Sequence, residues 1–147
     1  DLSELFQRCK AVGFYIASVL YFYRNIFCSL GFVHALDDTH VVKQQAVHFE
    51  AVADNSPVPV VLYNVPGRVG VNLQASTCVE LAKHPNIVAV KEASGNLQQI
   101  MEILRDKPAD FDVLSGDDGI TQPMMALGAK GVISVAANGY PEIFCKA

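Results

Sequence analysis

Residues 87–96 read Ile-Val-Ala-Val-Lys-Glu-Ala-Ser-Gly-Asn. A short, continuous apolar run breaks into charge at Lys91 and Glu92. Such runs suit parallel strands covered on both faces. The same rhythm recurs on either side. Val58 to Tyr63 (VPVVLY) precedes the run, while Phe111 to Leu114 (FDVL) and Gly131 to Val135 (GVISV) follow it. Amphipathic stretches lie between. Leu73 to His84 reads as a helix with Asn72 as its N-cap and Pro85-Asn86 as its breaker. Leu97, Ile100, Met101 and Leu104 form a stripe at helical spacing, capped by Asn96 and ended at Lys107-Pro108. Ile120, Pro123, Met124 and Leu127 form another, with Gly128 just past its end. Val42 to Ala53 reads as a further helix.

This alternation of helix and strand predicts a parallel α/β sheet with crossover connections. Two architectures fit: a doubly wound open sheet, or part of a (β/α)8 barrel. A whole barrel takes about 250 residues, and the chain has 147. Both folds place chemistry at the C-terminal ends of the strands. Those ends carry Tyr63-Asn64, Lys91-Glu92, Ser115-Gly116-Asp117-Asp118 and, past the fourth run, Asn138. Neither GxGxxG nor GxxxxGK follows a strand, which counts against a nucleotide-binding class.

Composition narrows the field further. Hydrophobic residues make up 51% and charged residues 18%, which excludes a disordered chain. A net charge of −4 argues against a nucleic-acid partner, since phosphate binding needs clustered Lys and Arg. Cys9, Cys28, Cys78 and Cys145 form no CxxC pair and no metal spacing, and read as reduced thiols of a cytoplasmic chain. The histidines are scattered, so no metal site is expected. Ala11 to Leu36 is strongly apolar, but Arg24 and Asn25 interrupt it where a membrane span would be costly to charge. Buried secondary structure is expected there rather than a membrane segment. The opening Asp1-Leu2-Ser3-Glu4 lacks the basic start of a signal peptide.

Lys91 is the chemically loaded position. A lysine at the mouth of a buried strand is desolvated, and desolvation favours the neutral amine. A neutral amine attacks a ketone to form a Schiff base. Taken alone, Lys91 also fits a solvated strand end paired with Glu92. Tyr63 ends the preceding run, and neighbouring strands lie about 5 Å apart, so its phenol is placed to move protons at Lys91. Taken alone, it also fits a structural tyrosine. Arg68, in the Pro66-Gly67 turn, has a fork suited to a carboxylate, or is an ordinary surface arginine.

Four words stand in register: Tyr63-Asn64-Val65-Pro66-Gly67-Arg68-Val69-Gly70, Val90-Lys91-Glu92-Ala93-Ser94-Gly95-Asn96, Leu114-Ser115-Gly116-Asp117-Asp118 and Gly131-Val132-Ile133-Ser134-Val135. They closely resemble the dihydrodipicolinate synthase family, pyruvate-dependent Schiff-base lyases and aldolases, from about Val47 to Phe144. The resemblance implies an α/β fold, a partial (β/α)8 TIM barrel with parallel strands five to eight and their helices over 47–147. Residues 1–46 match poorly. It implies that Lys91 forms the imine with pyruvate and that Tyr63 relays protons. Arg68 would bind the carboxylate of aspartate semialdehyde, and Gly116 and Ile133 would line the pyruvate pocket. The implied reaction opens diaminopimelate and lysine synthesis. It needs no metal and no cofactor beyond the covalent imine. A homo-oligomer is implied for the full-length form.

The chain also departs from the family. The Gly-Thr-Thr-Gly-Glu word of the first strands, whose threonines bind pyruvate, is absent. Phe22-Tyr23-Arg24-Asn25 can be laid over the family's fourth-strand Pro-Tyr-Tyr-Asn word, which puts Arg24 where the second tyrosine belongs. Ile26 to Thr39 has no counterpart. The chain therefore reads as a fragment holding the second half of a barrel. Two alternatives stay open: another pyruvate aldolase of the superfamily, and a catalytically inactive fragment or interaction module.

Overall fold

The computed structural model describes residues 38–144. Contacts divide the chain between His40 and Val41, and the architecture below belongs to the unit that begins at Val41. The expectations for Ala11 to Leu36, for Phe22-Tyr23-Arg24-Asn25, and for Cys9, Cys28 and Cys145 lie outside the described residues.

Helix α1 (Asp38–Asn55) leads into strand β1 (Val60–Asn64), the short helix α2 (Pro66–Val69) and α3 (Ala75–Leu81). Then come β2 (Ile87–Glu92), α4 (Leu97–Asp106), β3 (Asp112–Ser115), α5 (Thr121–Ala126), β4 (Gly131–Val132) and α6 (Pro141–Phe144). Single 3-10 turns stand at Asp118–Ile120 and Ala136–Asn138. The strands form one sheet in the order β1-β2-β3-β4, and every neighbouring pair is parallel. A doubly wound sheet reverses its strand order at a switch point; the described strands run in sequence order without one. The fold is an arc of a (β/α)8 barrel, as expected.

Alternation along the strands separates two faces. Leu62, Val90 and Val113 are partners across the sheet and all are buried. With Cys78, Leu81, Ile100, Ile103, Phe111 and Met124 they make the core between sheet and helices. The other face, the barrel interior, carries half-buried Val61, Tyr63 and Leu114 beside buried Lys91.

The strand boundaries differ from the sequence expectation for identifiable reasons. Pro59 has no N–H to give, so the β1 ladder opens at Val60, two residues past the expected Val58, with the Val60 N–H donating to Asn86 O at 2.7 Å. The register slips between Val60 and Val61, which leaves Val88 of β2 unpartnered on β1 and 37% exposed. Strand β4 holds two residues rather than five. The Ile133 N–H still donates to Ser115 O at 2.8 Å, but Ser134 Oγ then accepts the Ala137 N–H at 2.9 Å and curls the chain away.

Some helix expectations hold and others are corrected. Asn96 caps α4, its Oδ1 accepting the Gln99 N–H at 3.2 Å, and Lys107 takes an extended conformation ahead of Pro108. Gly128 sits past α5 at φ +108°, a left-handed backbone that suits glycine. Asn72, however, does not cap α3. That helix starts after Gln74, which makes no side-chain cap, and half-buried Asn72 instead hydrogen-bonds to buried Asn64 and Gln99. The inward stripe of α4 is Gln99, Ile100 and Ile103, while Met101 is 46% exposed. Along α5, Met124 is buried and Leu127 lies at the surface. Among the described residues no helix is long and apolar enough to cross a membrane.

Candidate active site

Strand β2 carries the lysine to the inner face one residue before the strand ends. Lys91 and Tyr63 are Cα partners across β1 and β2. The Lys91 Nζ lies over the Tyr63 ring, 4.3 Å from its centroid. The lysine as a whole is only 8% exposed. Burial pulls its amine pKa below the ordinary lysine value. The Asp118 carboxylate works in the opposite direction, and the positive charge of Arg68 adds to the lowering. A pairing of Lys91 with Glu92 is not what forms, because adjacent strand residues point to opposite faces.

Gly116, just past β3, makes room for this lysine. A Cβ placed there would meet Lys91 Cε at 2.8 Å, Ala93 Cβ at 2.9 Å and Lys91 Cγ at 3.0 Å. Ile133 follows β4 one register step beyond the Ser115–Val132 pair, half-buried on the same side. Arg68 stands apart from these four, exposed on α2, where Gly70 at φ +76° closes the turn. Its electrostatic influence nevertheless reaches Lys91.

Asp118 is the component that sequence reading missed. It opens the 3-10 turn after β3, and its Oδ2 accepts the Ala136 N–H at 2.9 Å, tying the β3 loop to the loop after β4. The Ser134 hydroxyl, then that amide, hold its carboxyl below the usual carboxylate range, with Lys91 contributing. Its neighbour Asp117 is spent on the backbone, accepting the Gly119 N–H at 2.9 Å. Among the described residues no group of three His, Cys, Asp or Glu is placed to hold a metal ion. Cys78 is a free, fully buried thiol, pushed up to about 12 by burial and then by the charge of Glu92. Thiolate chemistry at neutral pH is closed to it.

A lysine buried at the C-terminal end of a parallel strand, with its amine over a tyrosine ring, stands where a (β/α)8 barrel places its chemistry. The model of the dihydrodipicolinate synthetase family matches residues 41–146, and the chain belongs to that family, a family of lyases. A 4-hydroxy-tetrahydrodipicolinate synthase of Phocaeicola vulgatus is 56% identical over 100 residues, which span 67% of this chain and 34% of the relative. One from Geobacter sulfurreducens is 60% identical over 95 residues, 65% of this chain and 33% of its own length. The chain thus spans about a third of the length of the curated relatives it matches. Among solved structures, dihydrodipicolinate synthase from Aquifex aeolicus superposes with a TM-score of 0.69 at 44% identity, covering 71% of this chain and 36% of that one. The chloride-inhibited enzyme from Acinetobacter baumannii, complexed with pyruvate, gives the same TM-score at 39% identity over 71% of this chain and 36% of that one.

Proposed function

We propose that the chain carries the pyruvate-binding part of a 4-hydroxy-tetrahydrodipicolinate synthase site, with Lys91 as the imine-forming residue. The observation that carries this reading is the buried Lys91 held against Tyr63 and Gly116, with its amine pKa lowered. The neutral Nζ adds to the ketone carbon of pyruvate. Loss of water with uptake of one proton leaves a protonated imine, which draws electrons from the neighbouring methyl group. A proton leaves that carbon through Tyr63, and the resulting enamine attacks the aldehyde carbon of aspartate semialdehyde. Arg68 takes the carboxylate of that second substrate, and Gly116 and Ile133 wall the pyruvate pocket. The names of the relatives and the pyruvate bound to the Acinetobacter enzyme support this assignment. The reading carries with it a cytoplasmic, homo-oligomeric full-length enzyme of lysine and diaminopimelate biosynthesis, with no cofactor besides the imine.

Pyruvate with borohydride tests it. Reduction converts the imine into a stable secondary amine, and peptide mass mapping locates the adduct. The adduct is expected on Lys91. A chain that takes no label, label on Lys83, Lys107 or Lys130, or label that survives Lys91→Ala would overturn the reading. Arg68→Ala separates this reading from other pyruvate aldolases. It should depress turnover with aspartate semialdehyde far more than imine formation with pyruvate.

A further inference from the structure

Directly behind the Tyr63–Lys91 pair, on the helix-facing side of the sheet, sits a carboxylate that the proposed reaction does not use. Glu92 is 0% exposed. Its Oε1 accepts the Ser94 N–H at 2.8 Å and Asn64 Nδ2 at 3.2 Å, and its Oε2 accepts Asn64 Nδ2 at 3.0 Å and Gln99 Nε2 at 3.4 Å. Asn64 in turn accepts the Leu73 N–H at 3.0 Å. Asn64 and Glu92 are Cα partners, one residue beyond Tyr63 and Lys91 in each strand. Four segments therefore meet on one side chain: the tips of β1 and β2, the turn that follows β2, and the first turn of α4. A buried carboxylate is costly unless fully hydrogen-bonded, and an apolar residue would fill the same space. Its worth here is geometric.

We propose that Glu92 is a positioning residue: from behind the sheet it locks the tips of β1 and β2 so that Lys91 stays against Tyr63 and Gly116. The proposal rests on the reading of Lys91 as the imine-forming residue. Glu92→Gln keeps the volume but turns an amide N–H2 toward Asn64 Nδ2 and Gln99 Nε2, donors facing donors. A shift of about 1 Å at a reacting group can cost up to about a hundredfold in rate.

The test is the borohydride trapping rate with pyruvate, followed against pyruvate concentration and pH in the 147-residue chain. Glu92→Gln should lower the rate at saturating pyruvate by about tenfold and leave the half-saturating concentration unchanged. The pH of half-maximal trapping should rise, because a loosened amine regains water while still facing Asp118 and Arg68. A folded Glu92→Gln variant with the original rate and pH profile overturns the proposal alone. If that variant loses its far-ultraviolet circular dichroism, Gln99→Met removes one donor to Glu92 and should move the pH profile in the same direction. An unmoved profile there overturns the proposal. Absence of trapping at Lys91 in the unsubstituted chain overturns the imine reading and this proposal with it.

Discussion

Gly116→Ala is the sharpest perturbation this site offers. The added methyl would lie 2.8 Å from Lys91 Cε, 2.9 Å from Ala93 Cβ and 3.0 Å from Lys91 Cγ. Carbon atoms in contact settle at about 3.5–4.0 Å, so each approach is short by about half an ångström or more. The backbone at Gly116 is not in the left-handed region, so sterics alone set the cost. Lys91 is the flexible party and Ala93 Cβ is fixed to the backbone, so the lysine stem should move. Overpacking of this kind costs about 1–3 kcal/mol. A displacement of the amine by about 1 Å should slow imine formation by about ten- to a hundredfold. Gly131→Ala is the matched control: its methyl would meet Leu114 Cδ2 at 3.8 Å, an ordinary contact. Urea denaturation reads the first effect and borohydride trapping with pyruvate the second. Gly116→Ala should lose both stability and trapping rate, and Gly131→Ala neither. Unchanged trapping in Gly116→Ala, or equal losses in the two variants, would refute the packing argument.

Two charges should move the trapping pH profile in opposite directions. Asp118 raises the Lys91 pKa and Arg68 lowers it, so Asp118→Asn should shift half-maximal trapping to lower pH and Arg68→Ala to higher pH. Burial lowers the folded pKa of Lys91 below its ordinary 10.5, so between the depressed value and 10.5 the unfolded chain holds a proton that the folded chain has lost. Stability should therefore rise with pH from the depressed value towards 10.5 through this group, and Lys91→Met should flatten that rise in denaturation curves. At the other end of the site, Asn96→Ala removes the α4 cap and should cost about 1 kcal/mol in urea denaturation.

How much of this was legible in the sequence depends on where each residue's partners lie. Lys91 was readable because its environment is local: the apolar run Ile87 to Val90 delivers it to a strand end, and the barrel rhythm places Tyr63 beside it. The same local logic found the Asn96 cap and the left-handed Gly128. It failed where polar groups spend their hydrogen bonds at a distance. Asn72 has the chemistry of an N-cap and stands just before a helix, but its amide bonds Gln99, 27 residues away. Gln99 looks like the polar side of an amphipathic helix, yet it turns inward because Leu73 O and Glu92 accept its N–H groups. That rotation carries Met101 out to the surface. Glu92 itself reads as a charge leaving a strand for solvent, and its burial rests on hydrogen bonds from Ser94 and Gln99 together with Asn64, 28 residues earlier.

The misreadings share a cause that also explains the division of the site. Period-two alternation sends each residue of Lys91-Glu92 to a different face, and each of Tyr63-Asn64 likewise. A sequence shows four polar side chains at two strand ends and, Lys91 and Tyr63 apart, little to say what Asn64 and Glu92 do. The fold sorts them into Tyr63 and Lys91 inside the barrel and Asn64 and Glu92 behind it. A lysine held in a depressed protonation state needs walls that do not yield, since any loosening lets water back to the amine. On the proposal made above, buried Asn64, Glu92 and Gln99, with half-buried Asn72 at their edge, brace those walls from the far side of the sheet. A parallel strand end thus offers a barrel two sides encoded by neighbouring residues, one facing the interior and one packed against the helices.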